Sequence, residues 1–298
     1  MPSTKVTNPY EFYISRNTSV SAEISIIMLN VTINQLAHEL ITVTAGGKNY
    51  TSSFTIPYGT TYTATIKADE GYTAGTVTPT SGTFTTDSTF TATAATINSY
   101  TVTITPGAHQ TITVKNTTTG KSYTSTFTAN YGDKLTATIT ADPGYTASTL
   151  NQTSATVGTS GATFRATGDA TINSYTVTIT QSANQTITVN DGTRNHTSSF
   201  TAPYGTKLTA TLTPAEGYTA GKLNQTAATV GTSGATFSAT AATIQTRTIT
   251  VEQPANGRIE VNGQVGTSFT FNYGTKVKIE LKANTGYTPS ALYIATED

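Results

Sequence analysis

The chain has 298 residues, 16 basic against 16 acidic side chains, no cysteine, no tryptophan, and charged residues at only 11%. The balanced charge excludes an electrostatic footprint for nucleic acid or an anionic membrane, and the missing cysteines exclude disulfide staples, thiolate metal sites and thiol catalysis. About 73 residues are threonine, roughly a quarter of the chain, while helix formers are sparse, which weighs against an all-helical protein.

The N-terminal stretch MPSTKVTNPYEFYISRN has no basic segment followed by a continuous apolar run, so no export signal is expected. The longest apolar run, Ile24 to Val31, is interrupted by Ser25 and Asn30 and is far too short to cross a bilayer. Residues 1–27 are rich in bulky groups, including Tyr10, Phe12, Tyr13, Ile14, Ile24 and Ile26. Strands are expected at Tyr10–Ser15 and Val20–Ile26, the latter aligning without a gap on Ala166–Ile172.

From Leu29 onward the chain repeats. An opening strand reads LNVTINQLAHELITV from Leu29, YTVTITPGAHQTITV from Tyr100, YTVTITQSANQTITV from Tyr175 and RTITVEQPANGRIEV from Arg247. Each copy then carries a Tyr-Gly pair, at Tyr58-Gly59, Tyr131-Gly132, Tyr204-Gly205 and Tyr273-Gly274, spaced by about 73, 73 and 69 residues. A Gly-Tyr pair follows in step, at Gly71-Tyr72, Gly144-Tyr145, Gly217-Tyr218 and Gly286-Tyr287.

The repeats can be framed in two ways. In one, residues 28–99, 100–174, 175–246 and 247–298 are the units, the fourth lacks its last third, and residues 1–27 supply attachment strands that complete a repeat. In the other, the units are 1–75, 76–149, 150–222 and 223–298. With the first frame, the N-terminal strands could complete the fourth unit of another copy by strand addition, or seal that of their own chain as in a propeller.

Period-two alternation marks the strands: Tyr100, Val102 and Ile104 alternate with threonine, as do Ile112 with Val114 and Leu135 with Ala137 and Ile139. Such alternation describes half-buried strands with β-branched threonine on the wet face. Gly46-Gly47, Thr119-Gly120, Asp191-Gly192 and Asn262-Gly263 fit tight hairpins. The expected fold is all-β, a tandem array of four small antiparallel β-sandwich-like repeats of about 73 residues, each of roughly six or seven short strands. In the Tyr-Gly and Gly-Tyr pairs, glycine permits the turn and tyrosine caps the end of the core with its hydroxyl wet; a sugar- or partner-binding aromatic is the alternative.

The succession of an opening TVT strand, YGTKLTATLTPAEGYTAGKL and GATFSATAATI resembles the divergent internalin-B-type bacterial repeat (B-repeat) of surface and phage proteins, from about residue 20 onward. YGTKV…GY at Tyr273 to Tyr287 is its clearest instance. The tryptophan that many such repeats carry after Gly-Tyr is absent, with Leu150, Leu223 and Leu292 in that region. The resemblance implies an extended multi-domain β protein used as a spacer or adhesive arm.

Little chemistry is legible. His38 and His109 align with Asn184 and Asn256, an exchange explained by shared tolerance of left-handed backbone. His196 stands where Tyr50, Tyr123 and Val265 stand, a bulky strand position. Asp69-Glu70, Asp142 and Glu216 precede Gly-Tyr, but the fourth copy has Asn284-Thr285 there, and neither a calcium loop nor a nucleophile, P-loop or dinucleotide motif occurs. No catalytic, cofactor-binding or metal residue is assigned, and no cofactor is expected. The expectation is a non-enzymatic structural protein of a bacteriophage virion: a head fibre, capsid decoration or tail appendage. Its expected partners are capsid or tail proteins, further copies of itself and host-surface glycans, without nucleic acid or membrane; a bacterial cell-surface adhesin or stalk is the alternative.

Overall fold

A computed structural model describes residues 4–296, and every regular element among them is a strand. The outermost residues of the 1–27 and 247–298 segments lie outside that range. Threonine alternation builds the strands as physical chemistry requires. In Gln110–Asn116, Ile112 and Val114 turn inward while Thr111 and Lys115 face water.

The second unit shows the plan. Its opening strand, Ser99–Thr105, pairs antiparallel with Phe127–Asn130 on one side and parallel with Ala162–Arg165 on the other. A second sheet runs in the order Ser122–Tyr123, Gln110–Asn116, Lys134–Ala141, Ser154–Thr156, all antiparallel. Between the sheets lies a core that includes Val102, Ile112, Val114, Leu135, Val157 and Phe164. The third unit repeats this plan around Val177, Ile187, Leu208 and Phe237, and the first around Val31, Ile41, Phe84 and Phe90. The protein is therefore an all-β tandem array of four small sandwich-like repeats.

One pairing in each complete unit departs from the antiparallel expectation. After its opening strand the chain builds the second sheet and then returns, so that the last long strand lies parallel to the first: Ser88–Ala92, Ala162–Arg165 and Ala235–Ser238 all pair this way. Parallel neighbours need a long crossover, and here the second sheet is that crossover. Very short strands also form, such as Tyr145–Thr146 with Thr171–Ile172, so a unit divides into more pieces than six or seven.

The cores extend from Leu29 to Phe90, Val102 to Phe164 and Val177 to Phe237. A division near residue 75 would separate Val77, Phe84 and Phe90 from Leu29 and Ile41. Divisions near 149 and 222 would likewise cut off Val157 with Phe164, and Val230 with Phe237.

The two ends of the chain differ from this plan. In the fourth unit Thr246–Thr250 pairs with Ser268–Asn272, and Gly257–Val261 with Gln264–Val265 and Ile279–Ala283. Among the described residues no strand lies parallel to Thr246–Thr250. Ile249 is only half-buried there, whereas its counterparts Val31, Val102 and Val177 are fully buried. Glu260 is instead held by Arg258 of its own strand at 2.8 Å and by Lys282 of the neighbouring strand at 2.6 Å.

At the other end, Tyr10–Ser15 and Val20–Ile26 are not strands, contrary to the sequence expectation. A strand requires a paired edge, and among the described residues neither segment is paired in any sheet. Tyr13 and Ile24 are 99% and 97% exposed.

Candidate functional site

The constellation that recurs in the molecule is the junction between successive units, and its parts come from the Tyr-Gly and Gly-Tyr pairs. Gly71, Gly144 and Gly217 have φ of 81°, 85° and 78°, in the left-handed region that favours glycine. A second constraint falls on the same atoms. The rings of Tyr131, Tyr204 and Tyr273, each from the following unit, lie so close over these glycines that a Cβ would overlap the ring carbons.

The backbone fixes this arrangement. The Asn98 N–H donates to the Gly71 carbonyl at 2.8 Å, and the Asn98 carbonyl accepts from Tyr131 N–H at 2.9 Å. Asn173 joins Gly144 to Tyr204, and Gln245 joins Gly217 to Tyr273, all at 2.8 Å. Short strands complete the clasp, with Tyr72 opposite Ile97, Tyr145 opposite Ile172 and Tyr218 opposite Ile244.

Aromatic edges fill the remaining space. Tyr131 meets Tyr72 and Tyr100 edge-on at 6.5 and 6.4 Å, and Tyr204 meets Tyr145 and Tyr175 at 6.3 and 6.4 Å. At the last junction Arg247 replaces the flanking tyrosine, with its guanidinium 5.7 Å from the centre of the Tyr273 ring. The Tyr273 hydroxyl donates to Glu216, and that hydrogen bond to a carboxylate raises the phenol pKa. The expectation that each Tyr-Gly tyrosine caps its own core is thus corrected for these three, which seat on the preceding unit. Tyr58 has no preceding unit among the described residues and is 55% exposed.

The histidines serve the backbone and the stacks. His38, His109 and Asn184 have φ of 65°, 56° and 59°, as the His/Asn exchange predicts. Asn256 does not share the positive φ, although its carbonyl accepts the equivalent hydrogen bond, from Asn284 N–H. His38 and His109 also stack on Tyr72 and Tyr145 at 4.0 and 4.1 Å, with Asp69 and Asp142 at 3.5 and 3.7 Å from their Nδ1 atoms. His196 stacks on Phe200 at 3.6 Å, as Tyr50 does on Phe54 and Tyr123 on Phe127 at 3.7 Å. Its Nε2 meets Asp191 at 2.9 Å. The Thr193 hydroxyl, His196 and the N–H groups of Arg194 and Thr193 hold the Asp191 carboxyl well below the usual carboxylate range.

Two glutamine sites escape the sequence. Gln35, Gln181 and Gln253 each bind both backbone groups of an aliphatic residue six positions on, tying loop to strand at Ile41, Ile187 and Ile259. Gln185 is buried, accepts from Gly221 N–H at 2.8 Å and donates to the Thr240 carbonyl at 2.6 Å. Glu39 fills that place in the first unit; one carboxylate oxygen accepts from Gly75 N–H at 3.0 Å and the other, Oε1, is buried without a partner. The repeated motif reveals the position, but only the fold reveals what the side chain spans.

Among the described residues no three histidines or carboxylates gather as metal ligands. The depressions are open and shallow, one of about 350 Å³ lined by Thr117, Lys134, Leu135 and Ser154 among others. Among the described residues no helix is long and apolar enough to cross a membrane.

No protein-family model and no curated protein matches the chain. Among solved structures, the Bacillus anthracis TIE protein is similar at 17% identity and a TM-score of 0.43, over 71% of this chain and 50% of that one. The chain thus spans half the length of that protein, and a likeness at this score carries no argument about function.

Proposed function

We propose that the chain is a non-enzymatic structural arm of a bacteriophage virion, a head fibre, capsid decoration or tail appendage, that displays B-repeat-like β units. The observation that carries the arm reading is the junction. Three successive contacts use the same tyrosine-over-glycine seat and the same backbone hydrogen bonds, so each unit is held to the next by a repeated, specified geometry. An enzyme needs flexibility and a reactive constellation at one place, whereas a spacer needs a fixed relation repeated along its length. The exposed apolar residues Tyr10, Phe12, Ile14 and Ile24 give the arm an adhesive base for capsid or tail proteins. Its threonine faces would touch host-surface glycans weakly, gaining strength by the number of arms on a particle.

Mass spectrometry of purified virions, followed by antibody labelling in the electron microscope, tests the assignment. Labelled heads or tails are the expected result. Label confined to the bacterial envelope, with clean virions, replaces this reading by the cell-surface adhesin.

A further inference from the structure

The internal junctions have two halves, and among the described residues the first and the fourth unit each leave one of them open. Tyr58 N–H donates to the Ile27 carbonyl at 2.8 Å, the bond that Tyr131 makes to Asn98, so Ile27 already sits in the linker position. Before it, Ser25 and Ile26 stand where Thr96 and Ile97 stand before Asn98. The fourth unit holds the complementary half. Gly286 has φ of 88°, like Gly71, Gly144 and Gly217, yet a Cβ there would meet nothing within 4 Å. Tyr287, the counterpart of the paired Tyr72, is 57% exposed.

We propose that a second copy of this chain completes the fourth unit, by a head-to-tail junction that repeats the three internal ones. Ile26 and Ser25 of the incoming copy pair with Tyr287 and Thr288, the Ile27 N–H donates to the Gly286 carbonyl, and the Tyr58 ring covers Gly286. Upstream, the apolar stretch around Phe12 and Ile14 lies parallel to Thr246–Thr250 and buries Ile249, as Ala162–Arg165 buries Val102 and Ala235–Ser238 buries Val177. The occupant is argued from continuity: the seat is already filled three times within the chain by this chain's own parts, and Val20–Ile26 aligns without a gap on Ala166–Ile172, which leads into the linker Asn173 of an internal junction. Among the described residues of each copy one such tyrosine, Tyr58, and one such glycine, Gly286, lie open, so the contact is heterologous and extends into filaments. In such a filament only the first copy keeps Tyr10, Phe12 and Ile14 free to attach to a capsid or tail protein, so display at one end and association of the remaining copies are separable.

The chain contains no cysteine, which makes cross-linking decisive. Residues Tyr72 and Ile97 face each other across a strand pair, a separation that a disulfide spans. Full-length Ile26→Cys and Tyr287→Cys chains, mixed and oxidised, are expected to give a heterodimer of twice the mass at about ten times the yield of either variant alone, the factor for one specific aromatic contact. Tyr58→Ala in the Ile26→Cys chain should reduce that yield about tenfold. Light scattering of the unmodified chain should show mass rising with concentration. Equal yields in mixed and unmixed samples, a chain that stays monomeric on concentration, or an Ile26→Cys/Tyr287→Cys double variant that closes only on itself each overturn the proposal.

Discussion

The second and third units bury what the fourth unit and residues 4–27 expose. Phe164 and Phe237 are fully enclosed, each at the end of a parallel strand that covers the opening strand of its unit. The fourth unit has an opening strand and a second sheet of three strands instead of four, and among its described residues only Val251 and Val261 are buried apolar side chains. The difference teaches that threonine alternation makes strands, while closure of the core depends on the last strand of the second sheet and the returning parallel strand that follows it. Its sheet leans instead on Glu260, whose carboxyl Lys282 first and Arg258 second hold below its usual value.

Core truncation breaks the comparison most directly. Phe164→Ala or Phe237→Ala should cost about 3–5 kcal/mol in its own unit, because a filled site becomes a cavity. Phe271→Ala, at a half-buried site, should cost about 1 kcal/mol, since little apolar area is withdrawn from water there. Hydrogen exchange resolved to each unit measures both, and equal losses would show that the fourth unit is as closed as the others.

Glycine substitutions separate the junction from the turn. Gly132→Ala has φ of 81° but open space, so it should lose about 1 kcal/mol from backbone strain alone. Gly144→Ala carries the same strain and also drives a methyl into Tyr204; an overpacked contact adds about 1–3 kcal/mol. Protease sensitivity between the second and third units should rise for Gly144→Ala and not for Gly132→Ala.

A substitution in the first unit should act in the opposite direction. Glu39→Gln supplies the amide that Gln185 has at the equivalent place and gives Oε1's successor a donor for the Thr93 carbonyl, counterpart of Thr240. A gain of about 1 kcal/mol is expected, the worth of one satisfied buried hydrogen bond. Thermal unfolding should move upward, and an unchanged or lower transition would show that Glu39 is already satisfied.

The smallest effect is alkaline. Because Glu216 raises the Tyr273 phenol pKa, the hydrogen bond contributes fully below the ordinary phenol value and is lost as pH rises through the raised one. Phenolate absorbance should show a late-titrating tyrosine that Glu216→Gln abolishes.

Much of the fold was legible because period two leaves a direct record: Ile112 and Val114 could be placed inside from the threonines between them. The His/Asn exchange at 38, 109 and 184 was legible because left-handed backbone restricts the choice of residue. Tyr131 was harder. Its spacing marks a repeat, but spacing does not say toward which neighbour a ring turns, and the overlap at Gly71 appears only in three dimensions. Residues 20–26 have strand-like sequence but no paired edge among the described residues, since β propensity is a statement about neighbours as much as about the residue. Gln185 was hidden for the same reason: its acceptor, Thr240, lies 55 residues away.

The single-residue linkers, Asn98, Asn173 and Gln245, have a consequence for how such a chain changes through time. Since each seat is built from one unit's glycine and the next unit's tyrosine, recombination that removes or duplicates a whole repeat joins a compatible tyrosine to a compatible glycine. Copy number can then drift while the tyrosine-over-glycine seat is kept at each interface, and the reach of the arm becomes adjustable in steps of one unit; only the Tyr273–Glu216 bond depends on which unit comes before.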